Sequence, residues 1–86
     1  MYIIITGATK GIGRSIATLF AKEGFSLCLC ARTEKDLEAL KKNLLTLHKN
    51  IEVAICAADM SIKEDVLRFS EFCKKQTSTP DILINH

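Results

Sequence analysis

Residues 6–13 read Thr6-Gly7-Ala8-Thr9-Lys10-Gly11-Ile12-Gly13. This glycine-rich turn follows Tyr2–Thr6, a β-branched run with the pattern of a buried parallel strand. Glycines at such a turn permit positive φ and let the backbone approach a ligand closely. The helix that we predict after the turn points its free N–H groups and positive dipole end at an anion. The segment therefore predicts a binding turn for a pyrophosphate group.

The spacing of the glycines separates this turn from other phosphate-binding loops. A Walker A loop ends in Gly-Lys-Ser/Thr, whereas Lys10 precedes Gly11 and Ile12 follows it. The common dinucleotide form G-x-G-x-x-G is absent, and the spacing is G-x-x-x-G-x-G. One alternative stays open at this point, because a glycine turn can also serve only the tight packing of a strand and a helix.

The remaining segments alternate between strand-like and helical patterns. Further apolar strands are predicted over residues 25–31, 51–57 and 81–85, with a helix in each interval. The order β-α-β-α-β-α-β predicts an α/β fold of the Rossmann type, with a parallel sheet and helices on both faces. In a doubly wound sheet the strand order is 3-2-1-4, so the chain reads as a partial doubly wound domain that stops after its fourth strand.

Each helix carries a pattern that predicts which face it buries. The expected buried positions are Ile12, Ile16, Leu19 and Phe20 in the first helix, Leu37, Leu40, Leu44 and Leu47 in the second, and Val66, Phe69 and Cys73 in the third. Thr33 with Asp36, and Ser61 with Glu64, resemble capping boxes at the starts of the second and third helices.

Composition and charge narrow the class of protein. The 86 residues are 48% hydrophobic and 26% charged, as in a globular chain that forms a core. A net charge of +2 favours neither nucleic acid nor an anionic membrane as partner. No run approaches the roughly 20 apolar residues of a spanning helix. The first residues also lack the basic lead of a signal peptide.

The four cysteines are expected to be buried free thiols. Cys28 and Cys30 lie two apart in an apolar run, which places both on one face of a strand. No C-x-x-C and no Cys/His spacing suits zinc, so no metal site is predicted. Unpaired thiols favour a reducing, cytoplasmic setting.

The turn at residues 6–13 resembles the cofactor motif Thr-Gly-x-x-x-Gly-Ile-Gly of the classical short-chain dehydrogenases/reductases. The resemblance extends along the chain, since family members commonly have an acidic segment after strand three whose Asp contacts adenine, and Ala58-Asp59-Met60 looks like it. They also have Asn-Asn-Ala-Gly after strand four. Asn85 matches the first Asn, whereas His86 stands in place of the second. The resemblance implies cofactor contacts from Gly7, Thr9, Lys10, Gly11, Ile12, Gly13, Asp59, Met60 and Asn85.

The end of the second strand indicates which nicotinamide cofactor fits. An NAD site usually has an Asp or Glu there, and the sequence Ala31-Arg32-Thr33 has none. The guanidinium fork of Arg32 suits a 2′-phosphate, and Thr33 is a further candidate to bond it. In the family that this chain resembles, a basic residue at the place of Lys10 does similar work. We therefore expect NADP(H) rather than NAD(H).

No catalytic residue is predicted within the 86 residues. The resemblance implies a later Ser and a Tyr-x-x-x-Lys pair, but the only tyrosine is Tyr2, which has Thr6 four residues on. We expect residues 1–86 to be the N-terminal cofactor-binding part of an NADP(H)-dependent carbonyl or alcohol oxidoreductase, homo-oligomeric at full length and inactive as this part alone. A stand-alone nucleotide-binding or interaction module and a Rossmann-like methyltransferase remain the alternatives.

Overall fold

The computed structural model describes the backbone of residues 2–77 and 82–84 and the side chains of residues 2–77. Its elements in chain order are β1 (Tyr2–Thr6), α1 (Gly11–Lys22), β2 (Ser26–Ala31), α2 (Glu34–Leu47), β3 (Val53–Ala57), α3 (Lys63–Gln76) and β4 (Ile82–Ile84). Strands β1 to β3 form a parallel sheet that alternates with three helices in the chain. The predicted Rossmann-like α/β class is confirmed.

The register of the sheet brings the ends of its strands to one edge. Strand β2 lies between β1 and β3, and at its carboxyl end Cys30 is aligned with Thr6 and Ala31 with Ala57. On the other side of β1, residues Ile82–Ile84 run parallel to it. The loops that leave β1, β2 and β3 therefore start next to one another, as in other open parallel sheets.

The sheet has a core on each face. One core packs sheet residues against α1 and α2, and its largest buried side chains are Ile3, Ile5, Leu27, Leu29, Leu37, Leu40 and Leu44. The other packs the opposite sheet face against α3 and contains Ile4, Cys28, Cys30, Cys56, Phe69 and Cys73. Helices on both faces and the buried leucine stripe of α2 were both predicted, and both are confirmed.

Helix α1 packs through a different face from the predicted one. Ile12 and Leu19 are 63% and 58% exposed, whereas Gly13, Ala17 and Ala21 are buried. The prediction of a large-residue stripe was therefore wrong for these two positions. Small side chains let the helix backbone lie close to the sheet, and the bulkier side chains of Ile12 and Leu19 then point away from it.

The starts of α2 and α3 also differ from the prediction. Thr33 is the N-cap of α2, but its side chain makes no capping hydrogen bond. The N-cap of α3 is Ile62 rather than Ser61, whose side chain instead bonds Asp59. Val66, predicted to be buried, is 40% exposed at the amino end of α3. Both capping boxes were therefore wrong, and at the start of α3 the reason is that the Ser61 side chain bonds within its loop rather than to a helix N–H group.

All four cysteines are buried and free, as predicted. The Sγ atoms of Cys28 on β2 and Cys73 on α3 are 3.2 Å apart. Burial is the main cause that raises the pKa of both thiols. These cysteines thus act as small apolar residues of the core that α3 covers.

Candidate cofactor-binding site

Two backbone hydrogen bonds hold three loops side by side at the carboxyl edge of the sheet. The N–H of Ala8 donates to the carbonyl oxygen of Cys30 at 3.1 Å, and the N–H of Ala58 donates to that of Ala31 at 2.9 Å. The end of β2 thereby fixes the loop after β1 on one side and the loop after β3 on the other. The three loops enclose a cleft of about 380 Å³.

The cleft brings together most of the residues that the sequence singled out. The predicted site residues that line it are Gly7, Thr9, Lys10, Arg32, Thr33, Asp59 and Met60. They come from three loops that are separated by more than half of the chain, and the parallel register makes these loops neighbours. Clefts at this edge of a parallel sheet are the usual binding sites of such folds.

Three predicted residues of the glycine turn do not line this cleft. Ile12 points to solvent, and Gly11 and Gly13 lie in the first turn of α1. Gly13 packs against the carbonyl group of Gly7, and a Cβ built on it would overlap that group. Gly13 therefore fits a supporting role behind the turn. The remaining predicted residue, Asn85, lies outside the described residues.

The amino end of α1 has the features of an anion site. Its first turn contains no acidic residue, and the side chain of its N-cap, Lys10, makes no capping bond. Gly7 and Gly11 have φ of 64° and 53°, a backbone conformation that other residues rarely adopt. The first N–H groups of a helix lack partners within it and carry the positive end of the dipole. A phosphate group fits this cradle.

Charged side chains converge on the cleft from all three loops. Lys10 and Arg32 supply positive charge, while Asp36 and Asp59 supply carboxylates. Hydrogen bonds from Ser61 are the main cause that lowers the pKa of Asp59, and the charge of Arg32 lowers it further. Asp59 therefore stays ionised at neutral pH, and its negative charge interacts with the positive charge of Arg32.

Comparison with known proteins identifies the family. The family model described as short chain dehydrogenase matches residues 1–86. The chain belongs to the short-chain dehydrogenase family. The very-long-chain 3-oxoacyl-CoA reductase of Kluyveromyces lactis is 48% identical to it over 60 residues, which are 70% of this chain and 17% of that protein. The chain thus spans a small part of the curated relatives that it matches.

Solved structures of a reductase and of an alcohol dehydrogenase share the same fold. L-sorbose reductase from Gluconobacter frateurii, complexed with NADPH and L-sorbose, has a TM-score of 0.92 and 33% identity over 99% of this chain and 32% of its own. An alcohol dehydrogenase from the archaeon Thermococcus sibiricus, complexed with 5-hydroxy-NADP, has a TM-score of 0.88 and 33% identity over 95% of this chain and 34% of its own. Both neighbours were determined with an NADP-type dinucleotide.

The cleft is also lined by residues that the sequence did not single out as a site. These residues are Cys30, Ala31, Asp36, Ala58 and Ser61. Asp36 lies three residues after Thr33 and was interpreted as a capping-box residue on a solvated helix face. Ser61 lies two residues after Asp59, the spacing of an Asx turn, and that spacing could have indicated its role in the loop.

The single tyrosine of the chain lies at the opposite end of β1 from the cleft. Tyr2 begins β1, whereas the cleft follows the end of that strand. Its hydroxyl donates to Oε1 of Glu52 at 2.5 Å, and burial together with this bond raises its pKa to about 12. Both observations fit a structural strand residue, as predicted.

Within the part of the chain that the structure describes, metal-binding clusters and membrane-spanning helices are absent. No group of three or more His, Cys, Asp or Glu side chains in that part could hold a metal ion. Nor does that part contain a helix with the length and apolar character needed to cross a membrane.

Proposed function

We propose that this chain is the NADP(H)-binding part of a short-chain oxidoreductase that transfers hydride between the nicotinamide cofactor and a carbonyl or alcohol substrate. The observation that carries the proposal is that Lys10 and Arg32 line one cleft while Ala31-Arg32-Thr33 provides no carboxylate at the end of β2. Two cations beside the adenosine ribose favour a 2′-phosphate, whereas an NAD site places an acid there.

Each part of the cleft has a separate role in this proposal. The glycine turn and the amino end of α1 bind the pyrophosphate. Lys10, Arg32 and Thr33 bind the 2′-phosphate, and the carboxylate of Asp59 accepts a hydrogen bond from the 6-amino group of adenine. Met60 packs against the adenine ring. Asn85 steadies the sheet near the cofactor, as its match to the family motif implies.

The carboxylate of Asp36 opposes the two cations. It lines the same cleft and lies one helical turn after Thr33, so its charge repels a 2′-phosphate. In the proposed site, Arg32 outweighs this repulsion because a guanidinium fork forms charge-assisted, bidentate hydrogen bonds with phosphate. Asp36 therefore weakens NADP(H) binding without reversing the preference.

The chemistry of the reaction is assigned to residues beyond this chain. A bound nicotinamide supplies the hydride, and the protein positions it and manages a proton. The chain has no Tyr-x-x-x-Lys pair, so we propose that residues 1–86 bind the cofactor and do not catalyse. The low coverage of the relatives, such as 17% for the yeast reductase, supports an assignment as part of a longer enzyme.

The complete domain of this proposal is a doubly wound sheet with the strand order 3-2-1-4. The parallel register between β1 and residues Ile82–Ile84 supports this order. In such sheets the ligand lies across the crevice where the strand order reverses, which is the carboxyl edge of β1. The loop after β1 contains the glycine turn, and this agrees with the proposed site of the pyrophosphate.

The substitution Arg32→Ala tests the proposal through the two cofactors. We expect NADPH binding to weaken about tenfold to a hundredfold, since hydrogen bonds to charged groups contribute about 1.5–3 kcal/mol. NADH lacks the 2′-phosphate, so its affinity should change by no more than about threefold. Calorimetric titration with each cofactor measures both values, and equal losses would contradict the proposal.

Two further variants make the test specific. Lys35→Ala removes an exposed cation near Arg32 that does not line the cleft, so it should leave both affinities unchanged. Asp36→Asn removes the opposing carboxylate and should strengthen NADPH binding more than NADH binding. If Lys35→Ala weakened NADPH binding as much as Arg32→Ala does, the effect would come from general surface charge rather than from a contact with the 2′-phosphate.

A further inference from the structure

The loop from Ala58 to Ser61 forms one wall of the cleft, and two side chains of α3 hold it from behind. Oδ2 of Asp65 accepts a hydrogen bond from the backbone N–H of Asp59 at 2.8 Å. The other oxygen of Asp65 lies 3.5 Å from Nη2 of Arg68. The same Nη2 donates to the carbonyl oxygen of Ala57, the last residue of β3, at 2.8 Å. Arg68 and Asp65 therefore connect the end of β3 to the backbone of Asp59.

Within the loop, hydrogen bonds orient the carboxylate of Asp59. Its Oδ1 accepts from the N–H of Ser61 at 2.9 Å and from the hydroxyl of Ser61 at 2.7 Å. The carbonyl oxygen of Asp59 accepts from the N–H of Ile62 at 3.0 Å. Among the described residues both side-chain bonds fall on Oδ1, and Oδ2 is left for a donor in the cleft. The backbone bond to Asp65 and this turn together fix where Oδ2 points.

We infer that Asp65 and Arg68 are positioning residues that hold the carboxylate of Asp59 where it reads the amino group of an adenine base. The inference rests on the proposed function and deepens it, because it adds residues outside the cleft to the recognition of the base. Neither residue lines the cleft. Supporting groups of this kind act by restricting the geometry of the group that contacts the ligand.

The same helix has a second ion pair that serves as a matched control. Glu71 and Lys74 have the same i,i+3 spacing and the same 3.5 Å separation as Asp65 and Arg68. They are far more exposed than Asp65, at 70% and 72% against 27%, and they lie near the opposite end of α3. Surface pairs contribute about 0–1 kcal/mol to stability. Glu71→Gln therefore shows how cofactor binding responds to the loss of a helix ion pair that does not contact the loop.

The experiment compares NADPH with its hypoxanthine analogue, in which a carbonyl oxygen replaces the 6-amino group of adenine. The wild-type protein should bind NADPH more tightly, because the analogue has an acceptor instead of a donor at position 6, where Asp59 is proposed to bind. Asp65→Ala should weaken NADPH binding about threefold to tenfold, as expected for a lost hydrogen bond. It should weaken binding of the analogue less, so that the preference for adenine shrinks toward one.

Two variants separate positioning from a general effect on folding. Asp65→Asn retains an oxygen that can accept from the N–H of Asp59, and it should recover part of the adenine preference. Arg68→Met removes the link to Ala57 and should lower the preference as Asp65→Ala does. Glu71→Gln should leave the preference unchanged. If Asp65→Ala does not fold, the results with Asp65→Asn and Arg68→Met decide the question.

Each outcome has a defined meaning. Equal losses for both dinucleotides in the Asp65 and Arg68 variants, or no loss in either, would overturn the positioning role and leave the proposed function standing. Equal binding of both dinucleotides by the wild-type protein would also overturn the inference, because Asp59 would not read the base. A wild-type protein that binds neither dinucleotide would overturn the proposed function as well.

Discussion

Gly13 and the carbonyl group of Gly7 are in such close contact that no side chain fits between them. A Cβ built on Gly13 would overlap the carbonyl oxygen of Gly7 and lie 2.9 Å from its carbonyl carbon. Both neighbouring atoms belong to backbone, which cannot rotate away as the end of a side chain can. The third glycine of the turn is therefore required for the packing of α1 against the loop after β1.

The substitution Gly13→Ala should destabilise the fold and the cofactor site together. We expect a loss of about 1–3 kcal/mol in the free energy of unfolding, the usual range for overpacking, since α1 must move away from Gly7. That movement also displaces the amino end of α1, so NADPH binding should weaken. Urea unfolding and cofactor titration measure the two effects.

Gly11→Ala is the control for this substitution. Its Cβ would meet nothing within 4 Å, but the residue has a φ of 53°. The expected loss is about 1 kcal/mol, from backbone strain alone. A Gly13→Ala protein as stable as the wild type would contradict the packing argument.

Helix α1 illustrates what the sequence pattern could not predict. The hydrophobic pattern favoured Ile12 and Leu19 as buried, because large apolar residues usually contribute most to a core. The structure buries Gly13, Ala17 and Ala21 instead. How close α1 lies to the sheet depends on the contact between Gly13 and Gly7, and that contact is tertiary. The stripe of α2 could be predicted because its large leucines are the residues that meet the sheet.

Two adjacent leucines of α2 test the core assignment. Leu44 is fully buried, whereas Leu45 is 39% exposed on the same helical turn. Leu44→Ala should lower the free energy of unfolding by about 2–5 kcal/mol, since it removes buried methyl groups and leaves a cavity. Leu45→Ala should change it by no more than about 1 kcal/mol. Urea unfolding distinguishes the two, and similar losses would contradict the packing of α2.

The ionisation of the Tyr2 phenol can be followed by absorbance with a single spectroscopic probe. Tyr2 is the only tyrosine, and the chain has no tryptophan. Burial, followed by the hydrogen bond to Glu52, raises its pKa from 10.0 to about 12. The phenolate absorbance should therefore appear with a midpoint near 12. In Glu52→Gln the midpoint should fall but stay above the ordinary value, because burial remains.

The same shift predicts how stability depends on pH. The phenol of the unfolded chain ionises near pH 10, and that of the folded chain ionises near 12. The contribution of Tyr2 is fully present below pH 10 and is lost as the pH rises toward 12. Tyr2→Phe should remove this part of the dependence. A phenolate midpoint near 10 in the folded protein would contradict the assignment.

The thiols of the core should resist alkylation. Burial is the main cause that raises the pKa of Cys30 to about 11, and it raises that of Cys28 still further. Because the thiolate is the reactive form, Cys30 should react about a hundredfold more slowly than an ordinary thiol. Mass spectrometry of each cysteine after timed alkylation, in buffer and in urea, measures the difference. Comparable rates in the two conditions would contradict the burial.

The parts of the candidate site that could be predicted are those in which residues of a single loop suit a particular group of the ligand. The glycine spacing, Arg32 and Asp59 follow strand ends that the apolar runs reveal, and the structure brings their loops to one cleft. Asp65 and Arg68 could not be predicted, because a carboxylate and a cation on an exposed helical face usually form only a surface pair. Their contacts to Asp59 and Ala57 depend on how α3 lies across the end of β3.

In the proposed function, the cleft selects NADP(H) through Lys10 and Arg32. The most direct test is calorimetric titration of the unmodified protein with NADPH and with NADH at the same ionic strength. We expect NADPH to bind at least about tenfold more tightly, because charge-assisted hydrogen bonds to the 2′-phosphate add at least about 1.5 kcal/mol. Binding of NADH as tight as that of NADPH, or tighter, would contradict it.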